Sequence, residues 1–224
     1  MARGAGPDFS LETAARDVLG RAADLCGVDE AGRGPWAGPV AAAAVILDPR
    51  LPPERLPEGM DDSKRMTPRA RARVAAELRA LEAEGRAAIG IGWAEVAEID
   101  ALRIVAACDR AMARAVAALP LRPALALVDG LRAPSLGCPA EAVVRGDGRS
   151  LSIAAASVVA KVARDALMER LAADWPGYGW ETNRGYGAAA HRAGLLALGL
   201  TPHHRLSFRP VHNIWCARGL NYGK

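Results

Sequence analysis

The sequence contains few aromatic residues, no long apolar run and no closely spaced pair of cysteines. Phe, Trp and Tyr make up 4% of the 224 residues, although the hydrophobic residues as a class make up 51%. The longest apolar run covers residues 40–47, far short of the roughly 20 residues that a membrane-spanning helix requires. None of the 4 cysteines belongs to a C-x-x-C pair, and the N-terminus has no secretory signal pattern. We therefore expect a globular cytoplasmic protein with no membrane contact, no zinc site and reduced thiols.

Lysine is also scarce, because all but three of the 29 basic residues are arginines. A lysine ammonium is a compact charge, unlike the planar guanidinium group, so a lysine retained in such a chain suggests a specific contact. Residues 175–224 contain six basic residues against the single acid Glu181. This excess indicates a polyanionic partner such as nucleic acid, or else an ordinary solvated surface. The three lysines are Lys64, Lys161 and Lys224.

Apolar runs separated by turn residues predict an α/β fold. Residues 1–20 are polar, and we expect them to form a flexible lead-in. We place the main domain at residues 21–174 and a basic helical region at residues 175–224. Alternation of strands and helices is typical of one central sheet covered by helices. The predicted strands are 25–29, 39–47, 87–93, 124–128 and 142–144, and the predicted helices are 68–84, 102–119, 150–174 and 188–198.

Carboxylates beside glycines follow three of the predicted strands. Ligands of open α/β sheets bind at strand ends, and carboxylate oxygens are the ligands that Mg²⁺ and Mn²⁺ prefer. A lone Asp-Gly is more often a turn, but two adjacent acids at the end of a buried strand repel each other unless a cation neutralises them. The sequence therefore predicts a site for divalent cations. The four carboxylates are Asp29, Glu30, Asp129 and Asp147.

Asp29 and Glu30 are neighbours, and successive side chains of a regular strand point to opposite faces of a sheet. They can reach the same ion only if the strand ends there or if Glu30 approaches from a different angle. We take Asp29 as the central ligand.

Two other functions fit parts of the sequence. Residues 32–37 match G-x-G-x-x-A, a form of the dinucleotide-binding fingerprint. Against a dinucleotide site, Pro39 and an apolar strand follow in place of a helix, and Asp29 with Glu30 would oppose a pyrophosphate. A passive nucleic-acid-binding module is the second alternative, but it would not need acids at three strand ends. Titration with a nicotinamide cofactor tests the first alternative, and a test for duplex cleavage excludes or supports the second.

Seven groups of residues, in order along the chain, resemble the motifs of the ribonuclease HII family. The first is the most specific, and together they span about residues 25–210. The resemblance implies an α/β, ribonuclease H-like fold, with a central mixed sheet flanked by helices and a small helical C-terminal extension. The motifs are GVDEAGRGP at 27–35, DSK at 62–64, VDG at 128–130, RGD at 145–147, AAS at 155–157 with AKVARD at 160–165, GYG at 185–187 and HRLSF at 204–208.

The resemblance implies a metal-dependent endonuclease that hydrolyses the RNA strand of RNA–DNA hybrids. It also implies incision 5′ to single ribonucleotides in duplex DNA, leaving 3′-hydroxyl and 5′-phosphate ends, in the removal of misincorporated ribonucleotides and RNA primers. The cofactor would be Mn²⁺ or Mg²⁺, with one ion preparing water and another steadying the leaving oxygen. The partners would be RNA–DNA hybrids and ribonucleotide-containing duplex DNA. We expect a monomer, with the C-terminus a candidate for contact with a replication clamp.

The family's catalytic, metal-binding carboxylates correspond to Asp29, Glu30, Asp129 and Asp147. We expect Asp29 to lie between two ions, with Glu30 and Asp129 on one side and Asp147 on the other. Asp165 is a rival for the fourth position. Its place four residues after a lysine is typical of an intrahelical ion pair, so we prefer Asp147.

The family's substrate-binding residues are implied in the same way. A glycine-arginine-glycine loop contacts the ribose 2′-hydroxyl through backbone groups, and a tyrosine helps to sense that hydroxyl, which distinguishes RNA from DNA. Two lysines face the phosphate backbone, and the basic region 175–224 would hold the duplex with them. The corresponding positions are Gly32, Arg33, Gly34, Tyr186, Lys64 and Lys161.

The adjacent pair His203 and His204 has two interpretations. One is a proton shuttle, and the more common one is a capping or backbone-contacting role beside Arg205. The tryptophans of the C-terminal region are expected to be packing anchors, or in one case a stacking surface for a base. They are Trp175, Trp180 and Trp215.

Overall fold

The computed structural model describes residues 6–217, which form an α/β fold of the predicted class. The helices are α1 (Ser10–Leu19), α2 (Pro68–Ala83), α3 (Val96–Ala117), α4 (Leu151–Asp174), α5 (Trp180–Asn183), α6 (Ala189–Leu198) and α7 (Arg209–Ala217). The strands are β1 (Leu25–Ala31), β2 (Val40–Leu47), β3 (Ala87–Ala94), β4 (Leu125–Asp129) and β5 (Ala140–Val143). Short 3₁₀ turns occupy Pro53–Arg55 and Gly146–Gly148. No helix within residues 6–217 has the length and apolar character needed to cross a membrane.

The five strands form one mixed sheet in the order β3-β2-β1-β4-β5. The pairs β3-β2 and β2-β1 are antiparallel, whereas β1-β4 and β4-β5 are parallel. In the β1-β4 pair Val28 is opposite Val128. The next residue of each strand is an aspartate, so this register sets Asp29 and Asp129 side by side at the same edge of the sheet.

Helices cover the sheet on both faces, as the alternation of elements predicts. The apolar side chains of β1 that point to one face, Cys26 and Val28, are buried with residues of α3. On the other face, residues of β2 are buried with α2 and α4. A Cβ on Gly27 would lie 2.1 Å from the carbonyl carbon of Ser152, so only glycine lets the start of α4 pack directly on β1.

Helix α3 begins earlier than the predicted position, residue 102. A capping box starts it, because the Glu98 carboxylate accepts from the N–H of Glu95 at 3.1 Å while the Glu95 side chain accepts in return from the backbone of Glu98. The helix is interrupted at Arg103, whose φ of 69° is not helical. The sequence prediction therefore found the segment after the break and missed the segment before it.

Helix α1 lies where the sequence predicts a flexible lead-in. Its Glu12 side chain is fully buried, and Oε1 accepts from the hydroxyls of Ser150 at 2.6 Å and Ser152 at 2.7 Å. The same oxygen accepts from the backbone N–H of Ser152 at 3.0 Å, at the N-terminus of α4. The expectation for residues 1–20 is therefore wrong for residues 10–19. The division of the chain at residue 174 stays a prediction.

We expect Glu12→Ala to lower the free energy of unfolding by about 2–4 kcal/mol, measured by urea denaturation. The substitution removes three hydrogen bonds from a buried helix N-terminus and leaves a cavity there. Glu54→Ala is the matched control, because Glu54 is exposed and its replacement should cost less than about 0.5 kcal/mol. Equal effects of the two substitutions would contradict the docking role of Glu12.

Candidate active site

Three carboxylates meet at the edge of the sheet where β1 and β4 end. They belong to Asp29 in β1, Asp129 at the end of β4 and Asp147 in the 3₁₀ turn after β5. One oxygen of each lies within 4.8 Å of those of the other two, and we call this group the acidic triad. Asp29 and Asp147 are buried, and Asp129 is half-buried. Asp129 Oδ1 accepts from the N–H of Gly146 at 2.7 Å, which ties it to the turn that carries Asp147.

The fourth predicted ligand, Glu30, lies outside the acidic triad. Strand β1 pairs regularly with β2 as far as Ala31, so Asp29 and Glu30 point to opposite faces of the sheet. The alternative that the strand ends at Asp29 is therefore wrong, and Glu30 can contribute only from a different angle. Its Oε1 lies 3.8 Å from Nη1 of Arg33, whose side chain is 60% exposed. A metal-binding role for Glu30 stays a prediction.

The negative charge of the acidic triad is only partly neutralised by the protein. Burial, and then repulsion from Glu30 and Asp129, raises the pKa of Asp29 well above its usual value. Hydrogen bonds from the Ser157 hydroxyl and the Glu30 N–H offset this only in part. Burial, and then repulsion from Asp129, also raises the pKa of Asp147. Carboxylate oxygens held close together despite their mutual repulsion suit a divalent cation, which would remove that repulsion.

Lys64 lies beside the acidic triad, with Nζ 3.8 Å from Oδ2 of Asp147. Burial lowers the pKa of Lys64, but the attraction of the nearby carboxylates, Asp29 first, outweighs it and raises the pKa overall. The preceding residue, Ser63, is buried, and its hydroxyl lies 2.9 Å from that of Ser157, which in turn donates to Asp29. Buried hydroxyls therefore connect the segment of Lys64 to the acids.

Lys161 and Asp165 contact each other on α4, with Nζ and Oδ1 2.8 Å apart. Arg71 on α2 also approaches Asp165, at 3.8 Å. The intrahelical ion pair predicted for Asp165 is therefore confirmed, and Asp165 is not a member of the acidic triad. The Lys161 side chain is 21% exposed. Its contact with a phosphate stays a prediction.

The glycine-arginine-glycine loop, residues 32–34, rests on a buried arginine that the sequence analysis did not select. Arg205 is fully buried and donates to the carbonyl oxygens of Gly32 at 2.6 Å, Arg33 at 3.1 Å and Gly38 at 2.8 Å. Burial lowers the pKa of Arg205 to about 9. Within residues 6–217, the N–H groups of Arg33 and Gly34 donate to no acceptor. The loop thus directs carbonyl oxygens inwards and leaves two backbone donors for a ligand.

A second buried arginine, Arg164 of α4, supports the residues that follow the glycine-arginine-glycine loop. It donates to the carbonyl oxygens of Ala37 and Pro39, both at 3.0 Å, and to that of Arg184 at 3.0 Å. A Cβ on Gly32, whose φ is +95°, would lie 1.9 Å from Nε of Arg164, so glycine is required there. Arg164 lies in the motif at 160–165 and Arg205 in the motif at 204–208. Their places inside these motifs were the sequence signal that could have identified them.

Tyr186 lies next to the glycine-arginine-glycine loop. A Cβ on Gly34 would be 3.6 Å from Cε1 of the tyrosine, whose side chain is 47% exposed. The carbonyl oxygen of Gly185 accepts from the N–H groups of Trp36 at 2.8 Å and Ala37 at 3.3 Å, which fastens the two segments together. The structure therefore brings together the loop and the tyrosine, although Gly34 and Tyr186 are 152 positions apart in the sequence. Recognition of a hydroxyl by Tyr186 stays a prediction.

The backbone-contacting interpretation of the adjacent histidines is confirmed for His204. Its Nδ1 accepts from the N–H of Thr201 at 2.9 Å, and the ring is buried. His203 is half-buried, and its ring lies edge-on to Trp175 with the centroids 6.0 Å apart. Trp180 is fully buried, as expected for a packing anchor.

Within residues 175–217, the basic region presents less charge to solvent than its composition indicates. Arg205 is buried beneath the loop, and Arg184 pairs with Glu169 at 2.5 Å. Arg192 and Arg209 are exposed. The remaining basic residues, Arg218 and Lys224, and the predicted clamp contact at the C-terminus lie outside the described residues.

In EDTA at pH 8, Asp29→Asn should raise the melting temperature by roughly 2–4 °C. The folded-state pKa of Asp29 is raised, so its ionisation destabilises the folded protein in full above the folded pKa, and this cost declines to zero as the pH falls from the folded pKa to the lower unfolded one. The gain should therefore shrink on acidification, as followed by thermal unfolding.

The matched control for Asp29→Asn is Asp17→Asn on the exposed face of α1, which should change the melting temperature by less than about 1 °C. Mn²⁺ should stabilise the unsubstituted protein more than Asp29→Asn. A melting temperature that falls in Asp29→Asn at pH 8 would contradict the electrostatic account.

The chain is similar to known proteins in both sequence and fold. A family model described as Ribonuclease HII matches residues 26–211. The chain is 52% identical over 212 residues to ribonuclease HII of Jannaschia sp. (strain CCS1), an alignment covering 94% of this chain and 99% of that protein.

Two solved structures share the fold. The ribonuclease H2 from Pyrococcus horikoshii OT3 has a TM-score of 0.71 and 24% identity, over 88% of this chain and 100% of that one. The Bst ribonuclease HIII in complex with Mn²⁺ has a TM-score of 0.66 and 18% identity, over 96% of this chain and 76% of that one. These two structures show the fold. The family-model match and the sequence identity over nearly the whole chain show that this chain belongs to the ribonuclease HII family.

Proposed function

We propose that this protein is a metal-dependent endonuclease that hydrolyses the RNA strand of RNA–DNA hybrids and incises 5′ to single ribonucleotides in duplex DNA. The products would carry 3′-hydroxyl and 5′-phosphate ends, as in the removal of misincorporated ribonucleotides and RNA primers. The observation that carries the proposal is the acidic triad, with two of its three carboxylates buried, in the same structure as the glycine-arginine-glycine loop and the adjoining Tyr186. Membership of the ribonuclease HII family supports it.

The donor set of the acidic triad fits Mn²⁺ or Mg²⁺, because it consists of carboxylate oxygens with no histidine or cysteine among them. Asp29, Asp129 and Asp147 would hold the cation, with Glu30 approaching from the other face of the sheet. When bound, divalent cations supply an activated water and stabilise the leaving oxygen of a phosphodiester. The similar ribonuclease HIII was solved with Mn²⁺, which supports this choice of cation.

The other residues of the site would bind and orient the nucleic acid. Lys64, whose side chain is 73% exposed, offsets the charge of Asp147 and can bind a phosphate on its solvent-exposed side. The free N–H groups of Arg33 and Gly34 can donate to a ribose 2′-hydroxyl, which a deoxyribose lacks. The exposed ring of Tyr186 would contact the same sugar, since it lies against Gly34.

Further parts of the proposal concern the state of the protein in the cell and a second phosphate contact. We propose a monomer in the cytoplasm, on the basis of the sequence alone. A replication clamp contact at the C-terminus is proposed in the same way. Lys161 is proposed to bind a phosphate when its contact with Asp165 opens.

The decisive experiment incubates the protein with a DNA duplex that contains one ribonucleotide, in Mg²⁺, Mn²⁺ or EDTA. We expect cleavage 5′ to the ribonucleotide with metal and none in EDTA, resolved on a denaturing gel. An all-DNA duplex of the same sequence is the control and should stay intact. Failure to cleave with either metal would overturn the proposed function.

The assignment of the fourth carboxylate is tested by Asp147→Asn against Asp165→Asn. We expect Asp147→Asn to lower kcat/KM with Mn²⁺ by at least about 100-fold, because it removes a ligand from the acidic triad. Asp165→Asn should stay within about threefold of the unsubstituted protein, since it loses only an ion pair. The reverse order would contradict the assignment.

A further inference from the structure

Two buried histidines connect the C-terminal region to Tyr186. His191 on α6 is fully buried, His204 is 2% exposed, and their Nε2 atoms lie 3.0 Å apart. Nδ1 of His191 lies 2.9 Å from the carbonyl oxygen of Tyr186. The family motifs do not explain this contact. It joins the two buried histidines to Tyr186, whose ring is exposed at the site.

The direction of each hydrogen bond in this chain is determined by the groups at its ends. The backbone N–H of Thr201 can only donate, so Nδ1 of His204 accepts, and the proton of a neutral His204 is on Nε2. The indole N–H of Trp180 donates to Nε2 of His191 at 3.1 Å, so that nitrogen accepts as well. The proton of His191 is therefore on Nδ1, where it donates to Tyr186.

Both rings are neutral in this arrangement. Burial lowers the pKa of His204 to about 3 and also lowers the pKa of His191. A neutral His204 donates through Nε2 to the accepting Nε2 of His191, whose one lone pair is shared between this donor and the indole N–H of Trp180. The result is a one-directional chain from Thr201 through His204 and His191 to the carbonyl of Tyr186.

The carbonyl of Tyr186 is held by two donors, the His191 ring and the N–H of Ala188 at 2.8 Å. The N–H of Tyr186 donates to Asn183 at 2.9 Å, so both backbone groups of this residue are engaged. Its backbone is thereby fixed while its side chain remains 47% exposed beside Gly34. A tyrosine ring that recognises one hydroxyl group needs a fixed backbone, because small displacements of groups at a reacting centre lower the reaction rate.

We propose that His191 and His204 are positioning residues that hold the backbone of Tyr186 in place beside the glycine-arginine-glycine loop. They act through the backbone of Tyr186 and do not touch the substrate. The importance of the position of Tyr186 for cleavage rests on the proposed function. The hydrogen-bond chain itself does not depend on that function.

The substitutions His191→Gln and His191→Asn separate positioning from core packing. An asparagine amide occupies the place of Nδ1 and can still donate to Tyr186, but it leaves the indole N–H of Trp180 without an acceptor. A glutamine amide occupies the place of Nε2 and can accept from Trp180, but it cannot donate to Tyr186. We therefore expect His191→Asn to be the less stable and the more active of the two.

In the full-length protein, we expect kcat/KM for the single-ribonucleotide duplex to fall about tenfold in His191→Gln and no more than about threefold in His191→Asn. His212→Gln on the exposed face of α7 is the matched control and should stay within about twofold. In a Tyr186→Ala background, His191→Gln should have no further effect. Activity that follows melting temperature, or an undiminished effect in that background, would overturn the proposal.

NMR of the full-length protein tests the chain without reference to cleavage. At pH 7 we expect the Nδ1–H tautomer for His191 and the Nε2–H tautomer for His204, assigned with single substitutions. With tyrosines labelled at ¹³Cζ, the signal that Tyr186→Phe removes should shift in His191→Gln and keep its position in His191→Asn. The opposite tautomers, or an unmoved Tyr186 signal in His191→Gln, would overturn the positioning role even if the protein cleaves as proposed. If the protein does not cleave while these signals are as expected, the proposed function alone fails.

Discussion

The active-site geometry depends on the parallel, in-register pairing of β1 with β4. It places Asp29 and Asp129 side by side at one edge of the sheet, and the turn after β5 adds Asp147. Buried carboxylates at this separation repel one another, and burial raises the pKa of Asp29 well above its usual value. The fold therefore stores an electrostatic cost at the place where a divalent cation can relieve it.

The rest of the site is built from buried polar groups that fix the backbone around this charge. Two arginines, Arg164 and Arg205, donate to carbonyl oxygens of residues 32–39 and so hold the loop by its inner side. His191 contacts the carbonyl oxygen of Tyr186. Glu12 secures the start of α4, which follows the turn of Asp147 in the chain. Rigid support of this kind leaves the N–H groups of Arg33 and Gly34 without an acceptor among residues 6–217.

The sequence predicted the sheet well because apolar runs and the residues that end them are local signals. The five strands and the helices α2, α4 and α6 lie close to their predicted positions. Helix α1 was missed because Glu12 is stabilised by Ser150 and Ser152, 138 and 140 positions away, which no local pattern reveals. The divergence of Asp29 and Glu30 followed from strand alternation, but whether the strand continued through both required the pairing with β2.

The sequence by itself determined the chemistry of this protein. The acids at strand ends and the ordered motifs were enough to indicate the ribonuclease HII family, because residue type and order survive without coordinates. The tertiary structure decided which of those residues meet. It joined the acidic triad, set Tyr186 against Gly34, identified Arg164, Arg205 and His191 as buried supports, and decided between the two interpretations of His204. The contacts of the two arginines with residues 32–39 join segments more than 100 positions apart, and the acceptors are carbonyl oxygens whose positions only the folded chain defines.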